Sequence, residues 1–229
     1  MKRLIVSVII VCISVTLAVA QSSEMTVEES YLQESIENMI IREQSRTDSR
    51  DMKILALSII GDAVDRGNKG EEVHQALEYM GLEGTLNRAR EGGRISNNFP
   101  DVRRESAQHL GKMGTEEAKE ILLRMIYYDN EPAVVQEAIK SLGDIGIDDN
   151  GRTISTIAWV FQKFDVTIPD NLVALAAVDA VEKLGVKNGI TDPTAIQMLV
   201  RIAEGPYLRA VQNRARSALI NIRRGQVQD

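Results

Sequence analysis

The 229-residue chain contains one cysteine, Cys12, which sits inside an apolar N-terminal stretch. Downstream of it, thiol catalysis and cysteine-held metal are excluded, and no disulfide can brace the fold. Histidine is nearly as scarce. His74 and His109 each stand alone, without a His-Glu-x-x-His, His-x-His or His-Glu pair, and both are expected at surface or boundary positions rather than as ligands. Gly-x-Gly-x-x-Gly, Gly-Lys-Ser/Thr and Gly-x-Ser-x-Gly are missing, which removes the phosphate cradle and the nucleophile elbow. Asp148-Asp149-Asn150-Gly151 has the composition of a calcium loop, but its acids do not alternate and no glutamate closes the twelfth position. Aromatic residues make up 4% of the chain, too few for a sandwich or barrel core. The only β-rich runs, Val134-Val135 and Val166-Thr167-Ile168, sit beside prolines. No catalytic, cofactor-binding or metal-binding residue is assigned, no cofactor is expected, and the chain is taken as non-enzymatic.

The first 20 residues have the layout of a secretory signal peptide: Met1-Lys2-Arg3, an apolar run from Leu4 to Leu17, then Ala18-Val19-Ala20. Cleavage before Gln21 is expected, with an uncleaved membrane anchor as the alternative. The remainder contains no Asn-x-Ser/Thr acceptor, which suits a bacterial periplasm, and membrane association is not expected once the leader is gone. Charge is uneven. The chain carries 27 basic and 33 acidic residues. From Ile190 onward six arginines (Arg201, Arg209, Arg214, Arg216, Arg223, Arg224) face three acids. An acidic body with a basic end argues against a nucleic-acid partner, which needs a basic face over most of the contact.

What is present is a repeat. Pro100-Asp101-Val102-Arg103-Arg104-Glu105-Ser106-Ala107-Gln108-His109-Leu110-Gly111 returns 32 residues later as Pro132 to Gly143, with proline, valine, leucine and glycine in one register. Counting the proline as zero, apolar or small residues at offsets 2, 6, 10 and 13 or 14 share one helical stripe. Further copies start near Arg50, Ala174 and Arg209, with leucine-position anchors Ile60, Leu110, Leu142, Leu184 and Leu219. Gly61, Gly111, Gly143 and Gly185 are expected to end these helices in a left-handed cap. Second helices are expected over about 71–80, 116–128, 152–164 and 193–204, and Leu82 to Asn98 reads as one long irregular insert. Residues 21–48 precede the array. Thr26-Val27-Glu28-Glu29 matches a capping box, and Tyr31, Leu32, Ile36, Met39 and Ile40 make a stripe suited to covering the flank of an end repeat.

The phrase Pro-x-Val-(Arg)-x-x-x-Ala-x-x-x-Leu-Gly-x-x-Gly, followed by an amphipathic helix, resembles a HEAT-type repeat of the short subgroup shared with phycobilisome lyase-like proteins. The resemblance implies an all-α fold: an α-solenoid of stacked helix pairs over residues 49–229, behind an N-terminal capping helix. It also implies a concave face lined by the second helices. Arg103 and Lys53 keep the family's basic position, whereas Val135 and Gln212 do not.

Such arrays hold other molecules, so the expected partner is a protein. Candidate contact residues are Tyr127, Trp159, Leu123 and Glu120, because the first three lie off the core stripes of their helices and Trp and Tyr are favoured interface anchors. Packing against the next repeat is the other role open to them. The basic end (Arg209, Arg214, Arg216, Arg223, Arg224) could meet an anionic partner, or the acidic body of another copy in self-assembly. A lyase-like or chaperone-like holder of a prosthetic group or nascent chain is the alternative, and it would need a clustered His, Cys or Arg pocket.

Overall fold

The stretches at 100–145 contain what a helix pair needs: proline in the first turn, a hydroxyl N-cap before the second helix, and apolar residues every three to four positions. A computed structural model describes residues 26–167, 169–190 and 192–225; the leader expected at 1–20 lies outside them. The described helices are α1 (Val27–Ser45), α2 (Arg50–Asp65), α3 (Glu71–Leu82), α4 (Pro100–Met113), α5 (Glu116–Tyr128), α6 (Pro132–Ile145), α7 (Arg152–Thr167), α8 (Asn171–Asn188), α9 (Pro193–Glu204) and α10 (Arg209–Gly225).

The chain divides between Glu37 and Asn38. The described part of the first unit is the beginning of α1. Thr26 and Glu29 form the expected capping box, with Glu29 N donating to Thr26 Oγ1 at 3.2 Å and Thr26 N to Glu29 Oε2 at 2.9 Å. Tyr31, Leu32 and Ile36 are exposed there.

In the second unit, Met39 is exposed whereas Ile41 is fully buried. Helices α2, α4, α6, α8 and α10 pack successively as one layer, and α3, α5, α7 and α9 as a second. Each second-layer helix also packs against the first-layer helix that follows it. This is an all-α solenoid of HEAT-like helix pairs. The anchors Ile60, Leu110, Leu142 and Leu184 are fully buried. In the last unit the register slips by one residue, with Ala218 buried and Leu219 only partly so.

The repeat glycines do a different job from the one expected. Gly61, Gly111, Gly143 and Gly185 lie inside α2, α4, α6 and α8, and the left-handed stops are Gly114 (φ 64°) and Gly146 (φ 70°) three residues later. The interior glycines let adjacent first-layer helices nearly touch. A Cβ at Gly111 would lie 2.6 Å from Ser141 Oγ, and one at Gly143 would lie 2.7 Å from Ala180 Cα. At Gly61 the space is taken by the His109 ring, 2.8 Å from such a Cβ. His109 is therefore buried rather than at the surface.

Two ion pairs run through the interior of the first two repeats. Lys53, fully buried in place of the expected Met52, reaches Glu83 at 2.7 Å and donates to Ser45 O at 2.9 Å. Arg103 holds Asp129 at 2.6 Å and donates to Asn98 Oδ1 at 2.8 Å. In each unit the base sits one turn into the first helix and the acid just after the second. Val135 breaks the series in the third unit.

The insert after α3 is ordered rather than irregular. It forms a hairpin, β1 (Arg90–Glu91) with β2 (Arg94–Ile95), turned by Gly92 (φ 55°) and Gly93 (φ 82°). Positive φ at both turn positions is what a two-residue hairpin demands. Asn97 pins its base, accepting from Ala89 N and donating to Asn87 O, both at 2.9 Å.

Candidate functional site

Helix α5 buries Ala118, Leu122, Met125 and Ile126, and α7 buries Ile154, Ile157, Ala158 and Phe161. These stripes rotate Tyr127 and Trp159 off the core. The Tyr127 ring stacks on Trp159 at 5.0 Å with the planes 14° apart, and Tyr128 meets Tyr127 edge-on, also at 5.0 Å. All three rings remain between 42% and 49% exposed. Two successive repeats thus contribute to one continuous aromatic platform. Such a pair adds about 0.5–1.5 kcal/mol beyond its buried area, so it helps join the repeats and also presents ring surface to solvent. Packing between repeats, one of the two roles weighed, is thus seen for Tyr127 and Trp159.

The other two candidates sit elsewhere. Leu123 is 5% exposed and belongs to the core, because this face of α5 is covered by the neighbouring unit until Tyr127 emerges from it. Glu120 stays at the surface, but its carboxylate takes a two-pronged contact from Arg152 at 2.7 and 2.9 Å. Beside it Lys119 is buried between Glu116 and Asp149. Burial opposes its charge, yet hydrogen bonds to Asp149 and Glu116 outweigh that and raise its pKa. The acids of the calcium-like loop are thereby occupied: Asp149 by Lys119, and Asp148 by the amides of Thr153 and Ile154 at 2.8 and 3.3 Å.

Two recesses share Asn130 in their lining, and Tyr128 of the platform lines the first. One, of about 270 Å³, runs from Tyr128 to the hairpin and is lined by Arg88, Ile95 and Glu131 over the Arg103–Asp129 pair. The other, of about 370 Å³, lies between Pro132, Lys163, Phe164 and Asp170. Sequence reasoning missed Tyr128 and these hairpin residues; the Gly92-Gly93 pair was the signal that could have revealed the hairpin.

The five arginines of the basic end are engaged differently. Arg214 bridges to Asp179 at 2.8 Å and to Glu182, and Arg216 donates to Ala203 O at 2.6 Å. Arg209, Arg223 and Arg224 are exposed, with no ion-pair partner among the described residues. No described helix is long and apolar enough to cross a membrane.

Residues 94–157 match the family model for HEAT repeats, a span running from β2 through α4, α5 and α6 into α7. No curated protein matches the chain. With helix pairs stacked in the same manner on both sides of the matched segment, the chain is a HEAT-type repeat protein. Repeats of this type generally mediate protein–protein interaction.

Proposed function

We propose that this protein is an exported, non-catalytic scaffold that holds a segment of another protein across its second-helix layer, on the platform of Tyr127, Tyr128 and Trp159. The observation that carries the proposal is three half-exposed rings gathered from two repeats into one surface, with Tyr128 also lining a recess that runs to the hairpin. Aromatic residues in that setting bury large area at low entropic cost and dominate interface energetics. Because Arg152 already engages Glu120, the platform favours apolar side chains over a basic ligand. Truncating a central anchor at an interface costs about 2 kcal/mol or more, roughly a thirtyfold loss of affinity.

The test compares affinity capture by wild type, by the double variant Tyr127→Ala/Trp159→Ala, and by Lys140→Ala on the first-helix layer. A protein held by wild type and Lys140→Ala but lost from the aromatic double variant, then confirmed by titration with the purified partner, supports the site. Identical capture by all three proteins rejects it. Export is tested separately by intact mass of the native protein. A species beginning at Gln21 is expected, and a mature protein still beginning at Met1 refutes cleavage.

A further inference from the structure

In α2, α4 and α6 the residue eleven positions after the helix start faces the next unit, and in α8 the residue fourteen positions after it does so. These residues are Gly61, Gly111, Gly143 and Gly185, and the atoms nearest their Cβ positions belong to His109, Ser141, Ala180 and Ile190, with Ile222 of α10 also close to Gly185. In α10 the residue eleven positions after the start is Ile220, and it is 52% exposed because no helix follows among the described residues. Around it on the same face lie Arg209, Arg216, Arg223 and Arg224, and α10 contains no acid. A glycine there would suit one more close-packed repeat. An isoleucine ringed by arginines suits a separate helix, lying at ordinary packing distance, with apolar residues along its centre and acids at its ends.

Helix α1 has that composition. Leu32, Ile36 and Met39 form an exposed stripe at i, i+4 and i+7. Its acids Glu28, Glu29, Glu34, Glu37 and Glu43 outnumber its one base, Arg42. Laying α1 antiparallel on α10 with Leu32 opposite Ile220 brings the sequence positions into pairs. Glu28 and Glu29 come opposite Arg224 and Arg223, and Glu43, eleven residues beyond Leu32, comes opposite Arg209, eleven before Ile220.

We propose that the protein assembles head to tail, with α1 of one copy docked on the exposed face of α10 of the next. The two surfaces are different, so the contact is heterologous and does not close at two subunits. It leaves the aromatic platform free and does not depend on it.

Sedimentation velocity over a concentration series tests the proposal on protein purified from cells expressing the full-length chain. Wild type should pass beyond dimer as concentration rises, and retreat in high salt because the flanking charges are screened. Leu32→Asp/Ile36→Asp removes one face and Ile220→Asp the other. Each variant alone should stay monomeric, its affinity reduced at least about thirtyfold. Mixed one to one, they retain one good face each and should form a dimer that grows no further. The charge swap Glu28→Arg/Glu29→Arg should not assemble alone, and mixed with Arg223→Glu/Arg224→Glu it should grow beyond dimer, because the swapped faces match each other and so do the wild-type ones. Helical circular dichroism of each variant checks that it is folded. Wild-type mass independent of concentration, a plateau at dimer, or a variant mixture that stays monomeric overturns the proposal.

Discussion

Gly143→Ala tests the claim that first-layer helices are held with their backbones nearly touching. Two effects of opposite sign compete. Alanine is favoured over glycine in a helix interior by about 1 kcal/mol. Against that, the new Cβ would lie 2.7 Å from Ala180 Cα and 2.9 Å from Ala180 Cβ, where ordinary van der Waals separation begins at 3.4 Å. The near atom is backbone and cannot rotate away. Helices α6 and α8 must part by several tenths of an ångström, loosening Ile139, Leu142, Val181 and Leu184, all fully buried. Overpacking costs about 1–3 kcal/mol; a clash with backbone falls in the upper half of that range, so after the propensity gain is subtracted the net change is expected to be destabilising by about 1–2 kcal/mol. For a chain of this size that lowers Tm by about 2–8 °C. Gly225→Ala is the control: its nearest neighbours are at 3.7 Å, and propensity alone should leave stability level or slightly raised. Adding Ala180→Gly to Gly143→Ala should recover only part of the loss, because the backbone of α8 would still crowd the new methyl group. Thermal melts followed at 222 nm decide the matter. A Tm for Gly143→Ala equal to or above wild type would refute the close approach.

Leu142→Ala empties a fully buried site and should cost about 2–5 kcal/mol in urea unfolding; a loss below about 0.5 kcal/mol would mean the repeat register is wrong. The double variant Tyr127→Ala/Trp159→Ala should lose no more than about 2 kcal/mol, because half of each ring is already in solvent, and outright unfolding would make the platform core instead. His109 gives a pH signature. Burial first, then the Lys112 charge, hold its pKa below the ordinary histidine value, with Asp65 opposing. Its neutral ring therefore supports the fold fully above about pH 6.5, and that support is lost as pH falls. The unfolding midpoint should drop as pH falls below about 6.5, with a shallower drop in His109→Asn. Equal slopes would show that another group is responsible.

The repeat boundaries were legible wherever local signals agreed. Pro100 and Pro132 open α4 and α6 as expected, and α5 and α9 occupy the expected 116–128 and 193–204. Asp192 caps α9 by accepting from Thr194 N at 2.9 Å. Periodicity fails where two faces are buried at once. Lys119 and Leu123 look like surface residues on a one-stripe helix, yet the next repeat covers them. His109 was misplaced for a related reason. A polar residue reads as outward unless what receives it, here the gap at Gly61, is known, and that gap lies tens of residues away. The hairpin escaped notice because four strand residues carry no measurable alternation. The Tyr127–Trp159 stack could be foreseen only as two residues on comparable faces, since their distance depends on how adjacent repeats are rotated.

The two layers of the array differ in stiffness. On one side, helices rest against each other through Gly111 with Ser141 and Gly143 with Ala180, approaches too short to compress. On the other, the helices meet through side chains, among them the ion pairs of Glu78 with Arg124, Glu120 with Arg152, and Asp165 with Arg201. Flexing the second unit would therefore leave the glycine side nearly constant in length and be taken up on the opposite side, as in a strip with a stiff backing. The stacked rings of Tyr127 and Trp159 lie on the yielding side, and Trp159 is the only tryptophan in the chain. Its fluorescence is a built-in strain gauge, reporting the curvature of the array without an added label.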